Sequence, residues 1–471
     1  MRVIDGTGRP LKKDQTIVIQ DGRIREVGSA TLVRPPSGAS VVDGRDLTVL
    51  PGLVGMHEHL FYEIQTPGSK PRAVPAQETF AKLYLASGVT TIRTAGAVDF
   101  DGDLREKEAV DSGRLPGPKI HLTGTYLNAM SDEPSPRRIA QEVNAQAEHG
   151  ATSFKAYTSL RSSELQAAIA IAHARGFQIT GHLCAVGFRE AAIMGIDNVE
   201  HGLLTDTEFY SHLKPDTCPD QTLVVQELVD RDVSTDPDIG RTIAALVQHH
   251  VAVTSTLAIF ESFTGRASAF DPRMPSVLAT RLHDTYETAR SAVEDPNSAL
   301  AQLWSAALTG EMQFERRFLA AGGLLMAGVD PTGWGGVLAG YGDQRELELL
   351  VESGLPPEAA VRVATLNGAS FLREEGHIGA VAPGLQADLL LVRGNPSDRI
   401  SDVRNVELVF KDGIAYDPDL LIASVQGTLG QYDWLRVARV YPFNLIAGVL
   451  VLLLVARRIS NIMRQRREAE Y

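Results

Sequence analysis

The sequence predicts an α/β protein built on a (β/α)8 TIM-like barrel, and three observations point there. An amphipathic stretch, a glycine and a short apolar run recur along the middle of the chain, as in AEHGATSFKAYT and HARGFQITGHL. Eight apolar runs have strand character, at 52–58, 89–95, 119–125, 152–157, 178–182, 198–202, 251–257 and 324–329. The polar residues able to do chemistry stand at the ends of those runs, where a closed parallel barrel collects its active site. The complete expectation is a barrel over 51–377, a small composite β-sandwich from 1–50 and 378–420, and a C-terminal transmembrane helix with a basic tail over 436–471. An open doubly wound sheet would need a G-x-G-x-x-G phosphate loop after the first strand, and none is present.

Composition sets wide bounds. With 471 residues, 44% hydrophobic and 22% charged, the chain can bury a large core. A net charge of −13 argues against a nucleic-acid partner, because phosphate binding needs a basic face. Cys184 and Cys218 are too few for a disulfide framework and lack C-x-x-C spacing, so they do not decide the redox compartment.

In chain order, DQTIVIQDGRIREVG is two short strands turning at Asp21-Gly22, a strong hairpin signal. Gly88, Gly150, Gly176 and Gly195 each close a helical stretch before a strand, where glycine adopts the left-handed conformation cheaply. In SSELQAAIAIAHAR, Leu165, Ile169 and Ala172 share one helix face. Residues 204–250 and 258–318 are long insertions that fit a substrate pocket, a lid or contacts in a homo-oligomer. ADLLLVRG and VELVFKDGIAY, turning at Asp412-Gly413, repeat the β theme, and neither terminal half can bury its own face alone.

The C-terminus reads differently. Val440–Ala456 is uncharged over about 17 residues, the lower limit for a membrane span. Trp434 and Tyr441 flank it, and Arg457, Arg458, Arg464, Arg466 and Arg467 follow, against Arg436 and Arg439 before it. The expectation is a membrane anchor with the catalytic body outside the cytoplasm. Met1, however, runs straight into RVIDGTG without an export signal. A start assigned too late, or a tail-anchored protein facing the cytoplasm, would each reconcile the two.

Six residues form the chemical constellation. His57 and His59 in VGMHEHLF lie two apart at a strand end, so both imidazoles share one face and suit a zinc-like metal. Lys155 in SFKAY is a lysine at an inward strand end, which must neutralise, pair with a carboxylate such as Glu200, or become modified. His182 in ITGHL and His201 in NVEHG end adjacent strands; either alone suits a core histidine, but together they call for a metal. Asp330 in AGVDPT can ligate metal and take a proton from attacking water. His149 and His173 close helices, His121 begins a strand, and His249 and His250 precede one at the barrel's bottom.

VLPGLVGMHEH, the strand-end Lys155, His182, His201 and Asp330 together resemble the amidohydrolase superfamily, nearest its imidazolonepropionase-like branch. VIDGTG, ELELLVESGLPPEAAVRVATLNGA and IGAVAPGLQADLLLV extend the resemblance over roughly residues 1–415. It implies two divalent metals, usually zinc, and a carbon dioxide-derived carbamate on Lys155. His57, His59 and Asp330 would hold one metal and His182 and His201 the other, with carboxylated Lys155 between them. A shared hydroxide would attack an amide or other C–N bond of a cyclic amide, an N-acyl amino acid or a dipeptide-like substrate, with Asp330 carrying the proton.

Two departures stand out. The chain begins inside what should be a longer first β-segment, and Leu183 stands where peptidase-type relatives place a carbonyl-polarising tyrosine. Tyr126 and Tyr157 are substitutes for it, and Trp334 and Arg345 are further candidates for substrate binding. The competing readings are a one-metal deaminase, decarboxylase or isomerase of the same fold, and a non-catalytic scaffold.

Overall fold

The computed structural model describes residues 1–64, 71–332 and 336–431. The chain divides into two compact units, Met1–Leu429 and Gly430–Tyr471, and every element below lies in the first. Its centre is a ring of parallel strands: β1 (Leu53–Glu58), β2 (Val89–Thr94), β3 (Lys119–His121, resumed at Thr123–Leu127), β4 (Ser153–Ala156), β5 (Gln178–Gly181), β6 (Asn198–Glu200), β7 (Ala252–Ser255) and β8 (Leu325–Ala327). The break in β3 splits the hydrogen-bonding between its two halves, the first pairing with β2 and the second with β4. A bridge from Ala97 to Thr125 spans the split. The ring closes where Val329 N and Asp330 N donate to His57 O at 3.3 and 3.0 Å.

Burial explains the apolar runs. Every residue of β1, β2, β4, β6, β7 and β8 is buried, as parallel strands between a filled lumen and a helical jacket require. The jacket helices present matching stripes; Pro136–Glu148 turns Ile139 and Val143, one turn apart, into the core. Gly88, Gly150, Gly176 and Gly195 take φ of 91°, 111°, 78° and 89°, so each helix stops and the chain turns back into a strand.

The insertions are largely helical. Gln221–Leu228 and Pro237–Gln248 lie between β6 and β7, and Thr280–Ser291 and Ala299–Ala320 precede β8. Cys184 and Cys218 are joined in a disulfide, pinning the turn after β5 to the first insertion. An antiparallel hairpin, Phe61–Ile64 with Arg72–Pro75, follows β1 directly.

Both ends of the unit meet in one sheet. Arg2–Val3, Leu47–Pro51, Leu389–Arg393, Val406–Lys411 and Ile414–Tyr416 lie side by side in that order. Strand alternation divides its side chains between two cores: Leu389 and Leu391 pack with Val49, Ile24 and Val3, while Leu390 and Val392 join the main core. The hairpin Gln15–Gln20 with Arg23–Ser29 covers the smaller core through Ile17, Ile19 and Val27.

The expected transmembrane helix and the membrane-anchored localisation built on it need correction. Among the described residues no helix is long and apolar enough to cross a membrane. The longest, Ala299–Ala320, carries Glu311, Glu315, Arg316 and Arg317, charges a bilayer interior would penalise heavily. Residues 440–456, on which the anchor rested, lie outside the described residues.

Candidate active site

The cavity of interest lies at the C-terminal ends of the strands and measures about 100 Å³. His57, His59, Lys155, His182, Asp330, Tyr126 and Tyr157 line it, together with Phe61, Glu63, Ala95 and Thr332. The geometry follows from strand alternation and barrel closure. His57 and His59 share a face of β1, with ring centroids 5.4 Å apart. His201 follows β6 directly, its ring 4.4 Å from His57 and 4.5 Å from His182. Asp330, three residues past β8, places Oδ1 3.2 Å from His59 Nε2, and Oδ2 3.8 Å from His57 Nε2 and 3.9 Å from His201 Nε2.

Two of these residues hold strained backbone. His201 and Asp330 have φ of 67° and 49°, the left-handed region, which costs a non-glycine residue about 1–2 kcal/mol. The strain turns both side chains inward at the ends of their strands.

Three of the four imidazoles are held from behind. His57 Nδ1 lies 2.8 Å from Glu200 Oε2, His59 Nδ1 3.2 Å from Gly96 O, and His201 Nδ1 2.8 Å from Thr256 Oγ1. Because Glu200 and Gly96 can only accept, His57 and His59 carry a proton on Nδ1 and turn Nε2 toward the cavity. Tyr84 Oη fixes the backbone of His59, donating to its carbonyl at 3.1 Å.

Burial and neighbouring charge set the protonation of the site. Burial, reinforced by Lys155, pushes His57 down to about 4 and His182 to about 3. Burial pushes Asp330 up, but His57, His59 and His201 outweigh it and hold its carboxyl well below the usual range. Burial likewise raises Glu200, and Lys155, Arg93 and His57 reverse the effect. Lys155 is lowered to about 8 by burial, against the pull of Glu200, whose Oε1 is 3.8 Å from Nζ.

The residues fit a divalent cation. His57, His201 and Asp330 each offer an atom within 4.8 Å of the others. Lys155 Nζ and His201 Nε2 are buried and make no hydrogen bond, which a protein interior tolerates only where something else satisfies them.

A model of the amidohydrolase family matches residues 48–266 and 309–415. The chain belongs to the amidohydrolase family. Metal dependence is general in that family. Enamidase from Eubacterium barkeri is 34% identical over 122 residues, which are 26% of this amidohydrolase and 28% of that protein. The match thus spans under a third of the relative's own length. Among solved structures, a Xaa-Pro dipeptidase with bound methionine superposes with a TM-score of 0.65 at 21% identity, covering 88% of this chain and 98% of that one. Bottromycin amidohydrolase gives 0.64 at 19% identity, over 91% and 92%. At such identities the structural likeness speaks to fold alone.

The remaining candidates divide. Tyr126 and Tyr157 stand side by side at the cavity, ring centroids 4.6 Å apart. Arg345 is not among the lining residues: its guanidinium reaches Glu261 at 2.7 and 2.8 Å and Glu348 at 2.7 Å, an ion-pair network elsewhere in the amidohydrolase. Trp334 lies outside the described residues.

Sequence reasoning overlooked Arg93, which is 2% exposed and donates to Glu200 Oε1, Asn198 Oδ1 and Met56 O. Thr180 donates to the same Glu200 oxygen. The available signal was an arginine inside the apolar run GVTTIRTAG, a charge that cannot be buried without a partner.

Proposed function

We propose that this amidohydrolase hydrolyses an amide or related C–N bond of a small molecule, with two divalent cations held by His57, His59, Asp330, His182, His201 and Lys155. The imidazole-rich donor set suits zinc. Lys155 carries the proposal: a fully buried amine that makes no hydrogen bond, among imidazoles, is placed for conversion to a carbamate serving both cations.

When bound, the cations supply Lewis acidity and make water acidic near neutral pH. Asp330, ionised, accepts the proton of the attacking water and returns it to the leaving nitrogen as the C–N bond breaks. Burial keeps Tyr126 and Tyr157 protonated, so each can donate a hydrogen bond to the carbonyl oxygen as negative charge develops there. Glu200, Gly96 and Thr256 hold His57, His59 and His201 in place throughout.

One observation favours a single-cation deaminase or isomerase instead: among the described residues only His57, His201 and Asp330 form a close ligand group. Metal analysis of the purified protein, followed by a screen of N-acyl amino acids, cyclic amides and dipeptides, separates the readings. Two metals per chain with an inactive Lys155→Ala variant support the proposal. One metal per chain with an active Lys155→Ala variant overturns it, and a metal-free, inactive protein would mark a scaffold.

A further inference from the structure

A second cavity, of about 330 Å³, lies beside the turn Gly202–Thr205 that follows β6, and it shares no described lining residue with the active-site cavity. Its floor is buried and apolar: Leu203 and Leu204 from that turn, Leu228 and Val233 from the first insertion, and Ala307 on the helix Ala299–Ala320. The volume falls within the range of small-molecule sites, about 300–1,000 Å³. Gly310, one turn further along the helix, opens the wall. Glycine costs a helix interior about 1 kcal/mol against alanine. Crowding does not demand it here, because a Cβ at Gly310 would meet only Val233 Cγ2, at 3.4 Å.

The charges at the rim are already committed. Arg231 donates to Asp236 at 2.9 Å and lies 5.1 Å over the Phe209 ring, while Asp232 accepts from Ser234 N and Thr235 Oγ1. The Thr309 hydroxyl donates to Ser305 O. The Gln313 amide, half-buried on the helix wall, suits one hydrogen bond to an occupant. These surroundings favour a neutral molecule with an apolar body.

The same helix reaches the active site. Glu311 accepts from Leu203 N and Leu204 N at 3.2 and 3.0 Å, and Trp304 stacks on Phe260, whose ring lies 6.1 Å from His201. A Cβ on Gly202 would collide with Glu311 Oε1, so glycine there lets the carboxylate clamp the turn just past His201. A molecule in the cavity would touch both sides of that clamp.

We infer that, whatever bond the enzyme cleaves, this cavity is an effector site for a neutral, largely apolar small molecule whose binding braces the turn after His201. The test titrates metal-loaded full-length protein with indole by calorimetry and follows backbone hydrogen exchange of residues 202–205 with and without it. Indole should bind saturably and slow exchange at Leu203 and Leu204 by about threefold or more. Indole-3-carboxylate and tryptamine, charged forms of the same ring, should bind about tenfold more weakly, since the floor is apolar and the rim charges are paired. Gly310→Leu, which fills the cavity from the helix, should lower indole affinity by about tenfold through lost apolar contact. Ala306→Trp, at the exposed rim, takes its place if Gly310→Leu does not fold. Three outcomes overturn the inference: no saturable binding, binding that survives the filling variant, and binding that leaves exchange in the turn unchanged. Equal affinity for the charged forms overturns it as well. So does self-association of the chain that Ala306→Trp abolishes, which would give the cavity to a second copy.

Discussion

Glu200 Oε2 lies 2.8 Å from His57 Nδ1, and its other oxygen lies 2.8 Å from Arg93 Nη2. A single carboxylate, fully buried on β6, thus joins a candidate metal ligand on β1 to a buried guanidinium on β2. Lys155 Nζ, at 3.8 Å, belongs to the same group. Lys155 first and then Arg93 offset the burial of the Glu200 charge, so the orientation of His57 depends on both cations.

Replacing Glu200 tests this arrangement. Glu200→Gln keeps an acceptor for His57 but loses the charge opposite Arg93; metal affinity should fall about 10- to 100-fold, the usual scale for such supporting partners. Glu200→Ala strands Arg93 as an unpaired buried charge and should also lower stability, by about 3–5 kcal/mol. Metal titration and denaturant unfolding read the two effects apart. Unchanged affinity in both variants would remove Glu200 from the site.

How far the sequence could be read depended on whether a signal was local. Strand-end histidines and Asp330 interrupt apolar runs, so they could be singled out and placed at one barrel mouth. Arg93 lies in such a run too, yet its meaning depends on Glu200, 107 positions away, and on β1 lying beside β2. The hairpin carrying Glu63 has only four-residue strands, too short for alternation to announce it. The Cys184–Cys218 disulfide, 34 residues apart, needs the first insertion to fold back over β5. Arg345, a candidate for substrate binding or for pairing with a nearby glutamate, holds Glu261, 84 positions away, and Glu348, a choice of partner that only the folded chain displays. The apolar run at 440–456 had length and flanking charge in its favour, but no described helix supports a span.

Asp330 has the most exacting proposed assignment, that of both ligand and proton carrier. Asp330→Asn keeps one oxygen donor and removes basicity. The variant should retain part of its metal while kcat/KM on any substrate found falls by about 10²–10⁴, the range for loss of general-base catalysis. Parallel metal analysis and steady-state kinetics check it. Rates equal to wild type would exclude Asp330 as the base.

The disulfide makes a separate, structural prediction. Linking Cys184 to Cys218 closes a loop of 34 residues, and chain entropy gives such a link about 3–4 kcal/mol. Because Cys184 lies two residues past His182, the loosened segment adjoins the cavity. Cys184→Ser/Cys218→Ser protein should unfold at lower denaturant than the oxidised wild type, and reduced wild type should match the variant. Coincident unfolding curves for all three would show that the link contributes nothing.

Acid should destabilise the metal-stripped protein steeply, and the sign follows from the imidazoles. His57 and His182 are held at about 4 and 3 when folded, against 6.5 for the free side chain. Below pH 6.5 the unfolded chain therefore binds protons that the folded one refuses, so stability is fully present above 6.5 and drains as pH falls toward 4. The groups facing them, Lys155, Glu200, Asp330 and His201, leave that sign intact. Asp330 and Glu200, held below their ordinary range, add further loss below about pH 4.5 in the same direction. Buried His57 and half-buried His182, shifted by this much, account for several kcal/mol, enough to dominate the acid limb of the stability curve. Thermal melts of stripped protein from pH 8 to 4 should fall along that limb. His182→Asn should flatten it, and an unchanged slope in that variant would mean that His182 does not titrate as a buried neutral base.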